Sequence, residues 1–385
     1  MVEPTDLLVE RLDELLTSLL SRRFIKQAIV GLESGDRSIR WIGARGETHP
    51  DGRPMSAGTP FFIASIDKLF NATIAMKLSE SGSLDLDARV STYLPNELVR
   101  GLHRFDGVDY SDHITVRHLL GHTSGLADWL EDRQKGGRSL TERLLQDGDR
   151  ALGFDDVASI VRELKPHFPP QDLSAKRQRV RYSDTNYMLL IAVVEAVTGQ
   201  SLHKVHEELL FRPLGLRHTH FPGLSEPLDP TPAPAALRFK GQPLHIPLLI
   251  RSIRGIFSTA DDTLAFLRSF VRGEVFTDPN TRDGMQRRWN RFGLPRDRAA
   301  LRSPGWPIEY GLGIMRFRLP RLFTTLRQLP PVIGHTGSTG CWLFYCPQLE
   351  MLLSGSVDEI TAGAVPYRVV PSILHILASS RSNPR

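Results

Sequence analysis

The strongest constraint on this chain is where its two kinds of hydrophobic period fall. Alternation of apolar and polar residues marks a strand half-buried in a sheet, and here it is confined to the two ends. Near the start, KQAIVGLES and RSIRWIGARGE alternate on either side of Gly35-Asp36, a hairpin by pattern and by turn chemistry. Near the end come YGLGIMRF, PPVIGHTGSTG, CWLFYC and MLLSGSV. Between about 84 and 300 the chain reads as short helices and long loops. It is helical over 115–120, 154–164, 186–198 and 260–273, with the proline-rich stretch 229–236 as an irregular crossing. Strands at both ends can pair with each other across the insertion. The spacing therefore predicts an α/β (α+β) fold: an antiparallel sheet built from both chain ends and flanked by helices, with a mostly helical domain inserted. The expected partition is 1–83 plus 301–385 for the sheet domain and 84–300 for the insert, with the active site between them.

Helical periods complete this outline. Leu8, Leu12, Leu15, Leu16 and Leu19 share one face, as do Leu69, Ala72 and Met76, and Gly82 stops the second helix. A last apolar helix is expected over 365–379. Pro366 suits its first turn, and Pro371 should kink it or move its start later. At 385 residues and 41% apolar, the chain can bury a large core, which excludes disorder as its main state. A formal charge of +5, with no basic run interleaved with aromatics, disfavours a nucleic-acid partner. Cys341 and Cys346 are too few for a disulfide framework or a zinc site, and are expected to be reduced thiols. Neither a metal nor a cofactor is expected. No stretch offers 18 uncharged apolar residues, and the N-terminus lacks a basic region followed by an apolar one. These features predict a protein without a membrane span, cytoplasmic unless a leader has been removed.

Three clusters can carry chemistry. In Ser65-Ile66-Asp67-Lys68 the two outer side chains fall one helical turn apart, so the amine can reach the hydroxyl. A serine needs such a base to become a nucleophile, and a helix start supplies N–H groups for an oxyanion. Ser201 and Lys204 repeat the spacing. Tyr182-Ser183-Asp184 precedes a helix and offers a phenol as proton shuttle, with Tyr110-Ser111-Asp112 as a decoy of the same spelling. The glycine-dense stretch Gly334-His335-Thr336-Gly337-Ser338-Thr339-Gly340 would let a substrate lie against a strand, with Ser338 N–H as a second oxyanion donor. A Walker A loop and the G-x-S-x-G elbow are both absent.

In this order the clusters resemble the serine beta-lactamase-like superfamily: class C beta-lactamases, DD-carboxypeptidases and related esterases. The family pattern S-x-x-K, Y-x-N, K/H-x-G maps onto Ser65 and Lys68, Tyr182 and Asp184, His335 and Gly337. Further stretches agree: Leu119-Leu120-Gly121-His122-Thr123-Ser124-Gly125, the run 213–219, the run 255–261 and Tyr310-Gly311-Leu312-Gly313. The resemblance spans roughly 22 to 378. It places Tyr110 too early and Ser201 too late, and makes His122 a shaper of a buried turn. It implies acyl transfer: Ser65 attacks, Lys68 and Tyr182 share the proton work, and the N–H groups of Ser65 and Ser338 hold the oxyanion. Asp184, His335, Thr336 and Gly337 would line the substrate.

Two departures stand out. Asp184 replaces the usual Asn, exchanging a donor for a carboxylate that can only accept and that should raise the pKa of Lys68. This tilts the expected substrate toward esters. The longer approach to Tyr182 carries Lys176, Arg177, Arg179 and Arg181, either a solvated loop or a basic lip for an anionic substrate. The expected function is a serine hydrolase acting through an acyl-enzyme on small carboxylic esters. A D-amino-acid-recognising peptidase or amidase comes second, beta-lactamase third, and a non-catalytic binding relative last. Oligomeric state is not readable.

Overall fold

The computed structural model describes residues 6–134, 137–295, 297–318 and 329–381. Helix α1 (Asp6–Leu20) is followed by the hairpin β1 (Gln27–Ser34) and β2 (Arg40–Gly46). A 3-10 turn (Ala64–Ile66) runs straight into α2 (Asp67–Glu80). The middle of the chain supplies α3 (Asp184–Thr198) and α4 (Ala260–Arg272). Six strands follow: β3 (Asn290–Arg291), β4 (Glu309–Tyr310), β5 (Met315–Phe317), β6 (Val332–Gly337), β7 (Cys341–Cys346) and β8 (Met351–Ser356). Helix α5 (Pro366–Arg381) closes the described chain.

The eight strands form one sheet in the order β2-β1-β8-β7-β6-β5-β4-β3, every pair antiparallel. The two chain ends meet where Ile29 lies opposite Ser356 and Ser34 opposite Met351. Alternation then sorts side chains to two faces. Ala28, Val30 and Leu32 join Trp342, Phe344 and Leu353 on one face, under Leu12 and Leu16 of α1 and Ile373 and Leu374 of α5. Ile29, Leu343 and Leu352 point the other way into a second core with Leu264 of α4 and most of α2. Burial of this kind contributes about 25 cal/mol per Å² of apolar surface. Helix α2, buried from Asp67 through Met76, has no side-chain cap because it continues directly from the 3-10 turn.

Two expectations are corrected. The run YGLGIMRF is not one strand but two, β4 and β5, with Tyr310 facing Met315 across a turn. Gly313 makes that turn at φ +74°, and a Cβ there would sit 2.0 Å from Ala72 Cβ of α2, so the glycine lets the turn close onto the helix. Helix α5 starts at Pro366 and runs through Pro371 instead of beginning after it. The lost backbone hydrogen bond is offset by Val369, Val370, Ile373, Leu374 and Leu377, all buried against the sheet. The sheet also takes β3 and packs α4, both drawn from the 84–300 span.

Candidate active site

The chain reaches Ser65 through a strained residue. Ala64 sits at φ +44°, a region L-residues avoid at a cost of about 1 kcal/mol or more. The following turn leaves Ser65 half-buried and puts Lys68 one turn further on, almost wholly buried. Lys68 Nζ donates to Ser65 Oγ at 3.1 Å and forms an ion pair with Asp184 Oδ1 at 2.6 Å. Asp67 Oδ1 lies 3.9 Å from the same nitrogen. Burial alone would favour the neutral amine. The charges of Asp184, Tyr182 and Asp67 overcome it and hold the Lys68 pKa well above the ordinary lysine value, in the direction the sequence predicts for Asp184. At neutral pH Lys68 is therefore an ammonium. Burial pushes Asp67 up to about 7, against the pull of Lys68.

Tyr182 ends the irregular segment that precedes α3. Its hydroxyl is buried, which raises its pKa well above 10, while Lys68 and, more weakly, Ser65 draw it down. The hydroxyl lies near both but forms no aligned hydrogen bond among the described residues. Its backbone is held on both sides by one residue. The carbonyl of His122 accepts from Arg181 N–H at 3.0 Å, and His122 Nδ1 accepts from Ser183 N–H at 3.3 Å. The imidazole stacks on the Tyr182 ring at 4.4 Å between centroids. Asn186 Nδ2 lies 3.0 Å from the same Nδ1, so the ring proton belongs on Nε2. Burial depresses the His122 pKa far below the usual value, and the ring is neutral. The turn-shaping role expected of His122 is present, but its link to Tyr182 has no sequence signal, because 60 residues separate the two.

Strand β6 supplies the opposite wall. Gly337 lets it approach the turn that carries Ser65: a Cβ there would lie 2.8 Å from Ala64 Cβ and 3.0 Å from the Ile63 carbonyl. Ser338 follows, exposed at the strand end, and Thr336 Oγ1 lies 3.1 Å from Tyr367 Oη. His335 is completely buried. Its Nδ1 is 2.7 Å from the Thr336 carbonyl, which can only accept, so Nδ1 carries the proton and Nε2 accepts from Tyr310 Oη at 3.1 Å. Burial and the nearby Lys68 charge lower its pKa to about 3. His335 is thus neutral across the working range and offers no cation to a substrate.

The decoys separate from the site. Ser201 stands just before a short helix with its hydroxyl near His203, and Tyr110 packs edge-on against His103 and His113. In the basic segment, Arg181 is tied to Asp132 and Asp297 at 3.0 Å each, and Arg179 lies over the Phe168 ring at 4.4 Å. Lys176 and Arg177 are exposed. A cavity of about 630 Å³ runs beside Tyr182 between Arg179, Phe292 and Leu294. Cys341 is a buried thiol bonded to the Ile63 carbonyl at 3.1 Å, with Cys346 at the far end of the same strand. Among the described residues no three His, Cys, Asp or Glu side chains gather to hold a metal, and no single helix is long and apolar enough to cross a membrane.

Residues 34–359 match the family model described as beta-lactamase. The chain belongs to the beta-lactamase family. That family is one of serine hydrolases, and the architecture seen here is the beta-lactamase/transpeptidase one. Esterase EstB of Burkholderia gladioli is 30% identical over 332 residues, 79% of each chain. Two solved structures share the fold over nearly the whole chain. D-amino acid amidase from Ochrobactrum anthropi SV3, complexed with L-phenylalanine amide, superposes with a TM-score of 0.74 at 18% identity, covering 97% of this chain and 99% of that one. D-stereospecific amidohydrolase from Streptomyces sp. gives 0.70 at 24% identity, covering 94% and 97%.

Proposed function

We propose that this beta-lactamase-family protein hydrolyses small amides or peptides of D-amino acids through an acyl-enzyme on Ser65. Sequence analysis put carboxylic esters first. That order is reversed here, because the two amide hydrolases named above share the whole fold and the site's charge suits such substrates. The observation that carries the proposal is the Lys68 ammonium, which links Ser65 Oγ at 3.1 Å to Asp184 at 2.6 Å beside a buried tyrosine hydroxyl. In the mechanism this supports, Lys68 stays an ammonium paired with Asp184 and orients Ser65, whose proton passes to the Tyr182 hydroxyl as Oγ attacks the carbonyl. Tyr182 gives its own proton to the leaving nitrogen in the same relay and so ends as the phenol it began as. The N–H groups of Ser65 and Ser338 hold the oxyanion, and water then releases the acyl group.

The neutral His335 argues against substrates anchored by a carboxylate, both beta-lactams and D-alanyl-D-alanine peptides. Ester hydrolysis is the second reading, favoured by the whole-length likeness to an esterase and by an easier leaving group. The test is hydrolysis of D-phenylalanine amide, p-nitrophenyl acetate, nitrocefin and a D-Ala-D-Ala peptide by wild type and Ser65→Ala. Turnover of the amide, lost in Ser65→Ala, with nitrocefin and the peptide inert, is the expected result. Turnover of the acetate alone would promote the ester reading. Turnover unchanged in Ser65→Ala would refute the nucleophile.

A further inference from the structure

The charges around Ser65 point to a feature of the substrate itself. Ser65 Oγ and Asp184 Oδ1 share one ammonium, so the two oxygens lie within about 6 Å of each other. An acyl group on Ser65 carries its α-substituent three bonds from Oγ, a reach of roughly 3 to 4 Å. A hydrogen bond of about 2.8 Å closes the remaining gap to the carboxylate. Asp184 is also partly open. Its side chain is 22% exposed against 5% for Lys68, and Lys68 is its one hydrogen-bond or ion-pair partner among the described residues.

The surroundings are short of positive charge. Burial raises the pKa of Asp67, Asp128 and Glu131, and the charge of Asp184 raises each of them further. Asp67 Oδ1 and Asp128 Oδ2 are buried without a hydrogen-bond partner, and so is Tyr182 Oη. Lys68 stands between Asp67 and Asp184, and Glu131 is paired with Arg302 at 3.3 Å. Arg181 is already paired with Asp132 and Asp297, and His335 is neutral.

We propose that Asp184 binds the α-ammonium of the acyl half of the substrate, so that the site selects free α-amino-acyl amides and esters over N-acylated ones. The expected ligand is therefore a cation, in contrast to the anion that the basic 176–181 segment suggests. An N-acyl group removes the positive charge, leaves a single neutral N–H, and adds a carbonyl oxygen to which a carboxylate cannot donate. The inference rests on the acyl-hydrolase reading and names the substrate class for the same site.

The experiment compares D-phenylalanine methyl ester with its N-acetyl derivative in wild type, Asp184→Asn and Ser65→Ala. In wild type, kcat/KM for the free amine exceeds that of the acetylated ester by at least about tenfold, the worth of one hydrogen bond to a charged group. In Asp184→Asn the ratio falls to about one or inverts, since an amide can donate to the acetyl carbonyl. A wild-type ratio near one, or a ratio unchanged in Asp184→Asn, overturns the proposal while leaving the nucleophile intact. If no substrate shows Ser65-dependent turnover, the acyl-hydrolase reading falls and this one with it. A second measurement needs no variant: D-phenylalaninol inhibits wild-type turnover at least about tenfold more strongly than N-acetyl-D-phenylalaninol. Equal inhibition by the two overturns the proposal.

Discussion

Replacing Gly337 by alanine tests how closely β6 must approach the nucleophile. The added Cβ would lie 2.3 Å from Cys341 Sγ, 2.8 Å from Ala64 Cβ and 3.0 Å from the Ile63 carbonyl. Two of these neighbours are the residues that lead into Ser65, and none is the free end of a flexible chain. Relief requires the end of β6 to move away from the 3-10 turn by roughly 1 Å, since carbon atoms rest at about 3.5–4 Å. Such overpacking costs about 1–3 kcal/mol of stability. The larger effect falls on rate, because the same shift carries Ser338 N–H away from the oxyanion. A displacement of about 1 Å costs on the order of a hundredfold, similar to losing one oxyanion donor. The assay is kcat for a p-nitrophenyl ester alongside thermal unfolding. We expect kcat to fall about a hundredfold while the protein stays folded. Adding Cys341→Ala, which removes the nearest clashing atom, should restore part of the rate. If kcat of Gly337→Ala stays within about threefold of wild type, Ser338 does not serve the oxyanion.

Other expectations follow from the same geometry. His122→Phe keeps the ring stacked on Tyr182 but removes the acceptor for Ser183 N–H, and should lower kcat about tenfold with little change in KM. His122→Asn keeps an acceptor at the same distance from the backbone and tolerates φ +53°, so it should recover most of that loss; equal loss in both variants would refute the positioning role. Buried His206 has its pKa lowered to about 4 from 6.5, so the unfolded chain binds the extra proton and its contribution to stability, full above pH 6.5, is lost as pH falls toward 4. Between pH 7.5 and 5 wild type should therefore lose about 2 kcal/mol more than His206→Gln, measured by urea unfolding at each pH. Parallel curves would show His206 protonated in the fold.

Much of this site was legible because its strongest link is local. Ser65 and Lys68 are bound by helix geometry alone, and the hairpin at Gly35-Asp36 and the leucine face of α1 obey equally local rules. Asp184 was recognised as a carboxylate beside Lys68, and its effect on the lysine has the direction expected. What stayed hidden depends on packing between distant segments. Gly313 reads as part of a strand until Ala72 is seen against it, and Pro371 reads as a helix breaker until the sheet face beneath it is counted. The neutrality of His335 follows from burial and from Tyr310, which no spacing reveals. Nor could the sequence show that Arg181, one of four basic residues before Tyr182, is already committed to Asp132 and Asp297.

The pairing of β1 with β8 has a consequence in time. The hydrogen-bond partner strand of residues 27–34 is made of residues 351–356, so a chain growing from its N-terminus carries Ser65 and Lys68 long before β6 and β8 exist. Until then β1 has one open edge and Ser65 has no wall carrying Ser338. Contacts this distant in sequence form late and slowly during folding. Ser65 and Lys68 thus wait for about 290 further residues before the strands that wall their site exist.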